Sequence, residues 1–206
     1  MNIIIYRLSR IIPAIKHIFY LYWNRLKFRM LGIQYGNNLR VINKIYVKGY
    51  GSIKIGDNFR FTSGDCINPI SRNIKGCIYL GSKNASIEIG DRVGISSTCL
   101  WANTKIIIGN DVNIGGDTLI FDNDAHPVDY IQRRINYFKE TGLKKEIPSS
   151  QVTIDDDVWV GARCIILKGV HIGARSIIAA GSVVTKDIPS DVLAGGNPCR
   201  VIKSII

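Results

Sequence analysis

Few side chains in this 206-residue sequence are suited to moving a proton near neutral pH: the histidines are His17, His126 and His171. Imidazole, with a reference pKa near 6.5, can take a proton from a hydroxyl under those conditions. His17 lies in a basic amphipathic stretch and reads as structural. His171 ends a six-residue line of the repeat described next and reads as an exposed corner. His126 closes the segment Phe121-Asp-Asn-Asp-Ala-His126 and is followed by Pro127. Asp122 or Asp124 could orient its ring, and a backbone carbonyl could do so equally well. Three histidines spread this way do not gather into a zinc-ligand set, so no metal is expected. Five cysteines stand at 66, 77, 99, 164 and 199 with no Cys-x-x-Cys spacing. An odd count argues against a disulfide framework. No base flanks any of them, so all five read as reduced and structural.

What gives His126 its meaning is the element around it. Residues Ile154 to Pro189 divide into six lines of six, beginning at Ile154, Val160, Ile166, Ile172, Ile178 and Val184. The fifth positions are Val158, Cys164, Val170, Ser176, Ser182 and Ile188, mostly small or β-branched. A helix stripe steps by three and four and a simple strand alternates by two. A strict six is the period of a hexapeptide β-helix. Three lines close one turn, so each aliphatic first position stacks on its equivalent eighteen residues on. The same frame runs through Ile89, Ile95 and Trp101, then through Ile108, Ile114 and Ile120 after a one-residue insertion. The next first position is residue 126, where an imidazole replaces the aliphatic side chain.

The repeat then stops. Residues 128–151 form a polar excursion long enough to be a functional lid. Residues 36–88 read as coil with degraded repeats, Ile55-Gly-Asp-Asn-Phe-Arg60 being one clear line. Residues 1–35 read as a basic amphipathic helical extension. Ile4, Leu8, Ile11, Ile15, Ile18 and Tyr22 fall on one face, and Pro13 should break it or begin a second helix. The segment 190–206 reads as a cap whose Val201, Ile202, Ile205 and Ile206 cover the open end of the coil. Residues 1–60 hold eleven Lys or Arg against one acid, Asp57, while the remainder is nearly neutral. No nucleic-acid recognition motif accompanies this basicity. No window reaches the roughly 18 apolar residues of a membrane span, and Met1 to Arg7 lacks the pattern of a secretory signal. A cytoplasmic location is expected; the helical extension would pack across the end of the coil or onto a neighbouring subunit, or residues 1–30 would rest on the inner face of an anionic membrane.

Three stretches, Val158-Trp-Val-Gly-Ala162, Ala179 to Pro189 and Pro198-Cys-Arg-Val-Ile-Lys203, resemble the hexapeptide-repeat acyltransferases. The closest likeness is to the galactoside, maltose and nodulation O-acetyltransferase branch. Phe121 to Ala125 looks more like the acetyltransferases of polysaccharide biosynthesis. The resemblance covers roughly residues 50–206. It implies an all-β fold, a left-handed parallel β-helix over 36–206, assembled as a homotrimer with sites between coils. It implies acetyl-CoA as co-substrate and His126 as the catalytic base. It places Trp159 against the coenzyme, with Gly161, Ala162 and Ala180 at the pantetheine. It puts Thr185, Lys186, Arg200 and Lys203 at the nucleotide end. Ser96, Ser97 and Asn103 precede His126 in the repeat and are candidates to line an acceptor groove.

The expected activity is acetyl transfer to a hydroxyl of a sugar or glycan precursor, free or lipid-linked. Alternatives are N-acetylation of an amino sugar, a xenobiotic acetyltransferase, or a non-catalytic trimeric scaffold.

Overall fold

The computed structural model describes residues 11–64, 68, 70, 74–135 and 147–206. Short parallel strands stack in three ladders. The first runs Arg40–Ile42, Arg60–Thr62, Gly94–Ser96, Asn113–Ile114, Trp159–Val160, Ile177–Ile178 and Val192–Gly195. The second includes Cys99–Ala102, Leu119–Phe121, Ile165–Ile166 and Val183–Val184. The third includes Lys105–Ile108, Val152–Ile154 and His171–Ile172. The register is the one the sixfold frame demands: Ile154 pairs with Ile172, Val160 with Ile178, and Ile166 with Val184. All six of these side chains are fully buried, as are Cys164, Ser176 and Ser182 of the fifth positions. A buried Ile or Val contributes about 1.5–3 kcal/mol, so the inward column is the main source of cohesion. The result is a curled parallel sheet wound round an aliphatic core.

The early coil departs from the frame. Tyr46–Ile55 and Cys77–Ile89 are long strands that pair with each other and pass from the second ladder to the third without a separate corner. Their register shifts between Gly49 and Gly51. Gly49 has φ +107°, and a Cβ there would lie 1.9 Å from the Leu80 carbonyl oxygen. Only glycine fits that approach.

Helix α1, Ile11–Met30, lies across the first rung. It packs through Phe28 and three polar side chains rather than through the apolar stripe seen in the sequence. Asn24 Nδ2 donates to the Val41 and Asn43 carbonyls, each at 2.9 Å. Arg25 donates to Leu39 O, and Lys27 Nζ to Ile45 O at 2.8 Å. A first rung has no strand beneath it, so its carbonyls need other donors. The stripe members Ile11, Ile15, Ile18 and Tyr22 stay exposed; Ile4 and Leu8 lie outside the described residues. Pro13 falls in the first described turn of α1, and the residues before Ile11, where a break would show, lie outside the described residues. Among the described residues no helix is long and apolar enough to cross a membrane.

At the other end Arg200–Ser204 pairs antiparallel with Val192–Gly195. Val201, Ile202, Ile205 and Ile206 remain exposed instead of sealing the coil. The segment pairs an edge with its backbone, which leaves its side chains outside.

Candidate active site

The corner after Phe121 is built by Asp122. Its carboxylate is fully buried and accepts from Asn103 N, Thr104 N, Thr104 Oγ1 and Lys105 N at 2.7–2.8 Å. Asn123 Nδ2 donates to it as well. Asp122 thus ties the turn 103–105 to the strand below the excursion. The excursion is closed at its base by an antiparallel bridge between Asn123 and Ser149 and by Ser150 N donating to Asp122 O. It carries a short helix, α2, Tyr130–Ile135. Asp124 pairs with Lys168 at 3.0 Å, and its carbonyl accepts from His126 N at 2.6 Å. His126 is exposed. Among the described residues neither carboxylate is hydrogen-bonded to its imidazole.

On the first ladder lies a groove of about 460 Å³, lined by Arg60, Thr62, Ser96, Asn113 and Trp159 among others. Thr62 Oγ1 donates to Ser96 Oγ at 3.1 Å, fixing one wall. Trp159 is 57% exposed at the far end. The groove therefore brings together Ser96 and Trp159 of the expected site residues. Ser97 is not among them: it is 1% exposed and its Oγ accepts from Gly64 N at 2.8 Å. Asn103 sits on the Asp122 turn, away from the groove, with its carbonyl accepting from Ser82 Oγ. His126 does not line the groove either.

Gly161 follows the buried Val160, and a Cβ there would lie 2.5 Å from Ala180 N on the next rung. Its absence lets the corners at Ala162 and Ala180 stack closely, with Gly181 N donating to Ala162 O at 2.9 Å. Thr185, Lys186, Arg200 and Lys203 are all exposed at the C-terminal end of the coil. Arg200 Nη1 donates to Cys199 O, and Lys203 stands opposite Leu193 in the antiparallel pair. His171, placed at a corner by the sequence frame, is instead an outward strand residue paired with Asp155 at 2.8 Å. Among the described residues no three His, Cys, Asp or Glu side chains cluster as a metal site would require.

The model for the bacterial transferase hexapeptide family, six repeats, matches residues 151–186. A solved hexapeptide-repeat acetyltransferase from Vibrio cholerae, complexed with acetyl coenzyme A, is 31% identical. The match covers 72% of this chain and 71% of that one, with a TM-score of 0.53. The chain belongs to the hexapeptide-repeat transferase family. The galactoside O-acetyltransferase of Lactococcus lactis is 40% identical over 127 residues, 61% of this chain and 55% of that protein. A solved galactoside acetyltransferase in complex with coenzyme A is 28% identical over 84% of this chain and 65% of its own, with a TM-score of 0.52. This hexapeptide-repeat chain spans about half the length of the curated relatives it matches.

One feature of this family member escaped the sequence reading. Cys77 and Cys99, which read as reduced structural thiols in the sequence, are register partners on adjacent parallel strands, both half-buried. The hydrogen bond from Cys99 brings the Cys77 thiol down to about 7, against the opposing effect of burial. The same bond, with burial, drives Cys99 well above the ordinary thiol range. Their separation in sequence gives no hint of this contact; only the ladder register does.

Proposed function

We propose that this chain is an acetyl-CoA-dependent O-acetyltransferase whose acceptor is a sugar or glycan hydroxyl. The coil takes the left-handed sense and forms a homotrimer with active sites between neighbouring coils. The observation that carries this reading is the separation of two exposed groups. His126 leaves the second ladder and Trp159 stands on the first, so one coil alone does not line a single cleft with both. A neighbouring copy supplies the missing half. Solved relatives complexed with acetyl coenzyme A or coenzyme A support the choice of donor.

In the reaction an unprotonated ring nitrogen of His126 takes the proton of the acceptor hydroxyl. The hydroxyl oxygen attacks the thioester carbonyl and forms the new C–O bond. The C–S bond breaks as the tetrahedral oxyanion collapses, and the proton passes to the departing thiolate. Backbone N–H groups at the Ala162 corner stabilise the oxyanion, an effect of about 3–4 kcal/mol per well-placed donor. Trp159, Gly161, Ala162 and Ala180 hold the pantetheine arm. Thr185, Lys186, Arg200 and Lys203 hold the nucleotide. Ser96 lines the acceptor side of the groove. Asp122 acts at one remove by fixing the corner from which His126 emerges, and the Asp124 carbonyl fixes the backbone at His126.

The test is His126→Ala in purified protein, with coenzyme A thiol release as readout. Loss of about 10²–10⁴-fold in kcat, the usual worth of a general base, with unchanged acetyl-CoA affinity and melting temperature, is expected. Turnover at the parent rate would overturn the assignment.

A further inference from the structure

One outward column of the first ladder runs Arg40, Arg60, Gly94, Asn113, Trp159, each in register with the next. Rungs are about 4.8 Å apart, so the two guanidinium groups spring from adjacent backbone positions. Both arginines are exposed. Arg40 Nε donates to Asn38 Oδ1 at 3.3 Å. The Arg60 backbone N–H donates to Val93 O, while among the described residues nothing hydrogen-bonds or ion-pairs with its guanidinium. Like charges side by side on a sheet repel. Two other arginines on this coil are matched, Arg92 with Asp111 and Arg175 with Asp191, each through two hydrogen bonds. Among the described residues no carboxylate matches Arg40 or Arg60, and Arg60 lines the start of the groove. Gly94, next in the column, leaves the floor open; a Cβ there would meet Asn113 Oδ1 at 2.9 Å.

We propose that this end of the groove binds the phosphate or diphosphate of a phosphorylated saccharide acceptor, between Arg40 and Arg60. A guanidinium fork matches phosphate oxygens two at a time, and two adjacent cations balance a dianion. Arg60 and Trp159 stand three rungs apart, about 14 Å, which leaves room for a sugar between the anchored phosphate and the donor. The residues assigned to the phosphates of coenzyme A lie at the opposite end of the coil, so the arginine pair is not needed for the nucleotide. That the bound molecule is the acceptor rests on the acetyl-transfer reading; the anion site itself does not.

The experiment uses the full chain saturated with coenzyme A. Inorganic pyrophosphate is titrated calorimetrically, and acetylation of a neutral sugar, the same sugar as its 1-phosphate, its nucleotide-diphosphate form and the corresponding uronic acid is compared. Pyrophosphate should bind alongside coenzyme A, and Arg60→Gln and Arg40→Gln should each weaken it at least tenfold. Arg60→Lys should restore part of it. The substitutions should leave coenzyme A affinity intact and should not lower the melting temperature of the free protein, since each removes a repulsion. Both phosphorylated acceptors should show lower KM than the neutral sugar and lose that advantage in the glutamine variants. A preference for the uronic acid would reassign the anion to a carboxylate and overturn the phosphate. Pyrophosphate binding that survives the double substitution, or that coenzyme A displaces, would sink the site. Anion binding without any acetyl transfer would leave the site standing and refute the transferase instead.

Discussion

At the scale of single residues, the thiol pair gives a sharp pH signature. Beside its register partner Cys99, the Cys77 thiol is lowered to about 7 while that of Cys99 is raised. The rate of Cys77 alkylation by iodoacetamide should rise with pH, pass half-maximum near 7 and level off about one pH unit higher. Cys99→Ala should move that midpoint up toward the ordinary thiol value of about 8.5. A native midpoint already at the ordinary value would contradict any influence of Cys99 on Cys77. His126 was legible in the sequence because it interrupts an aliphatic column, a break visible in the linear frame. Asp122 was legible only as a nearby acid. Its engagement with Asn103, Thr104 and Lys105 depends on a turn one rung away, which the frame does not reveal.

At the scale of elements, the regular coil from Ile154 onward was readable to the register, since stacking eighteen residues apart follows from the period itself. The long strands Tyr46–Ile55 and Cys77–Ile89 were not, because they follow backbone pairing around glycines rather than side-chain period. Helix α1 shows the same limit. Its apolar stripe suggested the packing face, yet the open first rung is a row of carbonyls that polar donors serve better. Asn24→Ala would leave the Val41 and Asn43 carbonyls short of a partner. A cost of about 1–3 kcal/mol is expected for such a loss, a fall of several degrees in melting temperature. Tyr22→Ala, on the exposed stripe, should change stability by less than about 0.5 kcal/mol. Equal effects from the two would mean that α1 packs through its stripe after all.

At the scale of the whole molecule, the N-terminal end combines positive charge with exposed apolar surface. The N-terminal sixty residues carry nearly all the net positive charge. On α1, Ile15, Ile18, Phe19, Tyr22, Trp23, Leu26 and Met30 are exposed, with Lys16 and Arg29 exposed beside them. Basic residues flanking an aromatic and aliphatic helix face suit an anionic lipid surface. We propose that this end brings the enzyme to a lipid-linked acceptor. Vesicles containing phosphatidylserine should retain the protein at low salt and release it as salt rises, while neutral vesicles should not; Ile15→Ser with Trp23→Ser should abolish retention. Undiminished binding by that double variant would dissociate the stripe from the membrane.

The central claim, that one coil contributes the base and its neighbour the donor cleft, has a direct test. Purified His126→Ala and Trp159→Ala chains, each severely impaired alone, are dissociated, mixed in equal amounts and reassembled. In a cyclic trimer, interfaces pairing an intact His126 with an intact Trp159 arise in about one site in four, so thiol release should recover to roughly a quarter of the parent rate. No recovery from well-mixed trimers would place both groups in the same subunit's site and contradict the account.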